Sequence, residues 1–205
     1  MRSKVLLYLF AFISFLIVNS LCRSQDCKNY TLVLEPHLLF LTSAVLYEDG
    51  KEKPIFTIEY SFFEWTISHT HQIINSSGDI VYKSYNSVFN LYDSLYIYTF
   101  DKSNHQEKAY TFSKTHPMSS SKALSDEYQL EKTGVHNLGK ILINMERLDE
   151  FEFHNFQDEQ IARGFLHENK FKMLVCHVQD HPDLHLLLSM FLTTKVSMHK
   201  IADEI

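Results

Sequence analysis

Twelve histidines in 205 residues give this chain an ample supply of groups that bind metals and move protons near neutral pH. His177, His181 and His185 are evenly spaced. That spacing gathers ligands only within one helix, and Pro182 places His177 in a strand before it. His69 and His71 fall on one face of a strand and could chelate, yet no third ligand stands near them in sequence. Scattered surface imidazoles are the reading this pattern supports, so no metal or cofactor is expected. A collective pH-sensing role is the alternative, since many histidines would charge below about pH 6.

Other chemical groupings also resolve into plain structure. Glu146, Asp149, Glu150, Glu152, Asp158 and Glu159 form an acidic stretch of the kind used for calcium or glycoside chemistry. In a strand, however, Glu150 and Glu152 share one face and Phe151 and Phe153 the other, as in a strand with one wet side. His167-Glu168-Asn169-Lys170-Phe171 departs from the zinc-protease pattern at its last position, and no nucleophile elbow or phosphate-binding glycine loop occurs. Cys176 and His177, as adjacent strand residues, point to opposite faces. The chain is therefore expected not to be an enzyme.

The N-terminus supplies the clearest address. Arg2 and Lys4 precede a nearly unbroken apolar run, Val5 to Val18, followed by Ser20-Leu21-Cys22. This is the layout of a cleaved secretory signal over residues 1–22, with cleavage expected after Ser20 or Cys22. The rival, an uncleaved anchor, calls for ~20 apolar residues and a basic stop signal. After cleavage no membrane span remains, and the formal charge goes from −6 to −8 through loss of two basic residues. Asn29-Tyr30-Thr31 and Asn75-Ser76-Ser77 are N-glycosylation acceptor patterns, making Asn29 and Asn75 the expected glycan sites. Of three cysteines, Cys27 and Cys176 are the obvious pair, and an oxidising compartment would allow them to bond. The alternative is a buried thiol at Cys176 and an idle one at Cys27.

These residues must be positioned by short strands. Residues 30–47 read as two strands with a break near Glu35-Pro36, or as a helix from Pro36 to about Tyr47. Strands are expected at Ile55–Tyr60, Trp65–Ile67, Gln72–Ile74, Ile80–Tyr82, Val88-Phe89, Leu95–Phe100 and Ala109–Phe112. After a surface loop at 113–127 they resume at Tyr128–Leu130, Lys140–Met145, Glu150–Phe153, Gly164–His167 and Phe171–Val178. Such spacing, with turn residues between, argues for a sandwich or barrel. Asp180 then reads as a helix cap with Pro182 in the first turn and Asp183 adding favourable charge. Leu184 to Val196 is apolar on nearly every face, the signature of a buried helix. A single domain over 23–205 is expected, mainly β, with a central C-terminal helix at about 183–198. Its anchors are Leu184, Leu187, Leu188, Phe191 and Leu192.

Hairpins closing on a hydrophobic C-terminal helix resemble the tubby C-terminal-like superfamily, which includes the LURP-one-related proteins of plants and the phospholipid scramblases. Tyr60-Ser61-Phe62-Phe63-Glu64-Trp65 looks like that family's aromatic stretch, and Ile73 through Asn75-Ser76-Ser77-Gly78 to Tyr82 like its glycine hairpin. Ser87-Val88-Phe89 into Leu95–Tyr98 and Met173-Leu174-Val175 into Leu186–Met190 look like its later strands and central helix. The resemblance runs from about Ile55 to His199 and implies an antiparallel β-barrel closed around the helix. Asp101-Lys102-Ser103-Asn104 lacks the glycine of the family's second turn, and a secretory signal is unusual for proteins best known inside cells. The residues for calcium, acylation or phosphoinositide binding are missing.

Composition bounds the partners. With 45% hydrophobic residues, only 5 glycines and 4 prolines, and net charge −6, a disordered chain and a nucleic-acid binder are both disfavoured. The expectation is a secreted or lumenal binding module whose partner is a protein or a lipid. The alternative is a lipocalin-type carrier of a small apolar ligand, with an open barrel and an outside helix. Its early Gly-x-Trp is absent, since Phe63 stands two before Trp65.

Overall fold

The computed structural model describes residues 26–36, 42–60, 68–87, 94–100, 105–115, 126–144 and 150–202. The proposed signal at 1–22 and the expected strands at 65–67 and 88–89 lie outside them. Twelve strands are described: β1 (Lys28–Pro36), β2 (Thr42–Glu48), β3 (Phe56–Tyr60), β4 (Ser68–Asn75), β5 (Ile80–Ser87) and β6 (Leu95–Phe100). They continue with β7 (Gln106–Lys114), β8 (Asp126–Lys132), β9 (Val135–Ile143), β10 (Glu150–Asn155), β11 (Gln160–His167) and β12 (Lys170–Val175). One helix, α1 (Leu184–Ala202), follows.

Each strand pairs antiparallel with its sequence neighbours, and β1 pairs with β12, so the sheet closes into a barrel. Closure leaves no sheet edge to cap. Inward residues come from the alternation of the sequence. Tyr30, Leu32 and Leu34 on β1, Leu95 and Ile97 on β6, and Phe151 and Phe153 on β10 are all buried, while Glu150 and Glu152 are exposed.

Two hairpins of the barrel, β4–β5 and β10–β11, repeat one another. Asn75 and Asn155 begin hairpin turns of identical hydrogen bonding. In each, the Asn Oδ1 accepts from the backbone N–H groups two and four residues on, at 2.9–3.0 Å. The Nδ2 donates to a carboxylate, Asp79 at 3.2 Å and Glu159 at 3.0 Å. Both hairpins shift register one step before the Asn, at Ile73/Ile74 and at Phe153/His154. Gly78 and Asp158 take the left-handed position of each turn, with φ 89° and 63°. Asp158 is stabilised there by Lys140, whose Nζ lies 2.9 Å from its carboxylate.

Helix α1 occupies the interior. Every residue from Leu186 to Ser197 is buried, which a helix on the outside of a barrel could not achieve. Leu184, Leu187, Leu188, Phe191 and Leu192 are 4% exposed or less. Phe191 packs between Phe112 and Tyr128, with ring centres 4.6 and 5.0 Å away. The helix also carries polar residues, and it satisfies them from within. Ser189, Thr193, Thr194 and Ser197 each donate to the carbonyl four residues back, at 2.6–2.9 Å, so their hydroxyls can enter an apolar core.

Several expectations shift. The two-strand reading of the first segment holds, with β1 ending at Pro36 and β2 beginning at Thr42, but other bounds differ. The helix cap is Asp183 rather than Asp180: the Asp183 carbonyl accepts from Leu186 and Leu187, each at 3.0 Å. Asp180 and His181 instead donate to the His177 carbonyl in a separate turn, so Pro182 precedes the helix. β12 ends at Val175 rather than Val178, and β9 spans Val135–Ile143 rather than Lys140–Met145. His177, at φ 56°, turns the chain out of the sheet.

Candidate functional site

Strand direction gives the barrel two distinct rims. One rim carries the β4–β5, β8–β9 and β10–β11 turns, the start of β1, the end of β12 and the entry of α1. Cys27 and Cys176 are joined there by a disulfide across 149 residues of sequence. Cys176 is therefore neither a free thiol nor half of a catalytic dyad with His177, which pairs with Asp180 at 3.6 Å. Four large apolar side chains stand exposed among the described residues, and three mark this rim: Ile80 at 43%, Val135 at 54% and Phe156 at 66%.

Beneath the rim the helix entry is locked by a charged group. The Asp183 carboxylate accepts from the Tyr110 hydroxyl at 3.4 Å. Burial, and then the neighbouring Asp183 charge, push the Tyr110 and Tyr82 hydroxyls well above the ordinary tyrosine range. His185 stacks flat on Tyr30, ring centres 4.7 Å apart. Its Nδ1 is buried without a hydrogen-bond partner among the described residues. Burial lowers the imidazole pKa, against the opposing pull of Asp183 and Glu48. Burial also pushes the Tyr30 hydroxyl up to about 12.

Farther along the helix lies a polar layer that spacing alone did not reveal. His71 is fully buried, with Thr194 Oγ1 3.3 Å from its Nδ1 and Ser197 Oγ 3.5 Å from its Nε2. It faces the helix. Lys195 is 2% exposed, its Nζ 4.3 Å from the centre of the Tyr128 ring. Nothing in a Leu-rich run announced that a lysine would be enclosed by aromatic faces. Among the described residues no cluster of three or more metal-binding side chains forms, so His177, His181 and His185 do not assemble into a metal centre.

A cleft of about 530 Å³ opens on the outer wall. Register builds it as two rows across four strands. Glu150, Phe165, Lys172 and Thr31 lie opposite one another in one row; Glu152, Arg163, Leu174 and Asn29 form the other. Lys172 donates to Thr31 Oγ1 at 3.0 Å, and Thr31 donates in turn to Asp49 at 3.3 Å. Glu152 lies 3.1 Å from the His154 ring nitrogen Nε2. Arg163 has no ion pair or side-chain hydrogen bond among the described residues, and Phe165 is 53% exposed beside it.

The two expected glycan sites thus occupy different surroundings. Asn29 is exposed at the edge of the cleft, whereas Asn75 heads a hairpin turn at the rim.

No family model matches the sequence, and no curated protein matches it. Among the described residues no helix is long and apolar enough to cross a membrane. Among solved structures, the chain is similar to the X-ray structure of an Arabidopsis thaliana protein, AT5G01750. The identity is 13% and the TM-score 0.46, over 80% of this chain and 88% of that one.

Proposed function

We propose that this protein is a secreted or lumenal, N-glycosylated interaction module on a tubby-like barrel, without enzymatic activity, that engages a partner through its outer surface. The observation that carries this reading is the filled interior. A carrier needs an empty, largely apolar cavity, and here α1 takes that space with Leu188, Met190, Phe191 and Leu192, each fully buried. Contact with a partner then falls to the outside, where Ile80, Val135 and Phe156 project from one rim. Exposed apolar side chains at one end of a closed barrel suit contact with a protein.

Export is supported by the disulfide, which an oxidising compartment maintains, together with the apolar N-terminal segment and the two acceptor asparagines. A native mass spectrum of the protein secreted from eukaryotic cells, after glycan removal, tests the reading. The expected result is a bare chain beginning near Leu21 or Arg23. A co-purifying mass of lipid size would overturn it in favour of a carrier.

A further inference from the structure

We propose that the outer cleft is the seat of the chain's own glycan, attached at Asn29, and that Arg163 and Phe165 are its receptors. This rests on the glycosylated reading above and goes beyond it by giving the sugar a place. The Asn29 side chain is exposed at the edge of the cleft, and across the strands its row continues through Leu174 and Arg163 to Glu152. Adjacent strands lie about 4.8 Å apart, so Arg163, two strands away, is roughly 10 Å along the wall. The first sugars of an attached glycan reach that far.

The lining suits a saccharide. Sugar rings carry apolar C–H faces beside hydroxyls that both donate and accept. Phe165 and Leu174 supply apolar surface to the former. Arg163, with its donors unused among the described residues, and Glu150, an acceptor, serve the latter. Lys172 and Thr31 are already bonded to each other and frame the site. A free saccharide would bind weakly to so open a groove. A tethered one is held at high local concentration, so modest contacts are enough to keep it in place. The Asn75 site offers a contrast, because its acceptor residue heads a rim turn whose neighbours Ser76 to Ile80 are exposed.

The test uses the full chain secreted from eukaryotic cells. Glycopeptide mass spectrometry measures occupancy at Asn29, and an endoglycosidase added to the folded protein measures the rate of release there. Asn29 should be occupied. Release from it should be on the order of tenfold slower than in Phe165→Ala or Arg163→Ala, a factor that matches the loss of about one good contact. Unfolding should make the three rates equal. Both substitutions lie on exposed positions, so folding is expected to survive, and an unchanged melting temperature would verify it. An unoccupied Asn29 would overturn the proposal together with glycosylation at that residue. An occupied Asn29 whose release is the same in the parent and both variants would overturn the cleft assignment alone and leave the secreted glycoprotein reading standing.

Discussion

Breaking the Cys27–Cys176 bond should be the most costly change available outside the core. The bond joins the start of β1 to the end of β12 across 149 residues, which is nearly the whole barrel. In the chain-entropy description, removing it returns to the unfolded ensemble about 17 cal/mol/K, or about 5 kcal/mol at 25 °C. A domain of this size has a total stability of about 5–15 kcal/mol, so the loss is a third of it or more. Backbone pairing of Lys28 with Val175 already holds the termini of the barrel together in the folded state, so that state should change little in shape. A Cys27→Ala/Cys176→Ala pair, compared with the parent in urea unfolding, measures the effect. The midpoint should fall sharply, and the slope should rise because the uncrosslinked unfolded chain exposes more surface. The melting temperature should drop by roughly 10–20 °C, at about 2–4 °C per kcal/mol for chains of this length. The parent in reductant should behave like the variant. A loss below about 1 kcal/mol, with an unchanged slope, would refute the loop-closure reasoning.

The core helix should be equally exacting. Phe191→Ala removes the ring held between Phe112 and Tyr128 and should cost about 3–5 kcal/mol by chemical denaturation. Leu188→Asp places a carboxylate at a fully buried position and should abolish secretion; normal secretion would contradict an enclosed helix. Gly139→Ala would set a methyl group against the His154 carbonyl oxygen and 2.7 Å from the Phe153 ring, at a φ of 154°. It should destabilise by about 1–3 kcal/mol in the same assay. Because the folded state lowers the His185 pKa, its contribution to stability is complete above the unfolded value near 6.5 and falls as pH drops below it. Asp183, Glu48 and Lys28 surround the ring, and hydrogen bonds from Lys51 and Lys28 hold the Glu48 carboxyl below its ordinary range. Melting temperatures measured from pH 7.5 to 5 should decline, and His185→Gln should flatten the slope; identical slopes would show that another histidine is responsible.

Local pattern was legible wherever one residue sees water and the next does not. Glu150–Phe153 alternates exposed and buried, and β10 begins on those residues. Leu184–Leu192 offers no polar stripe, which by itself implies an enclosed helix. What depended on distant partners was not legible. The cleft exists because Asn29, Leu174, Arg163 and Glu152 fall into register across four strands, and no spacing along the chain encodes that. Asp180 looked like the helix cap, yet His177 in a left-handed conformation adds a turn first and passes the role to Asp183. The burial of Lys195 depends on Tyr128 lying opposite, and a sequence window around the lysine cannot see that. The matched turns at Asn75 and Asn155 did leave a trace: both place Asn four residues before an acid, with an apolar strand on each side.

The position of α1 after all twelve strands also bears on how the protein is made. A ribosome delivers the described wall before its filling, so the strands have nothing to close around until the helix has been made. Domains of this kind cannot fold in step with emergence, in contrast to helical bundles that assemble from local contacts. The early strands must wait with their apolar faces uncovered. On the proposed route of export, Asn29 would be open to glycosylation during that wait, even though Thr31 finishes almost buried. Cys27 likewise has no proper partner until Cys176 arrives. Nascent chains stalled before Cys176 should therefore persist as incomplete walls with an unpaired thiol at Cys27.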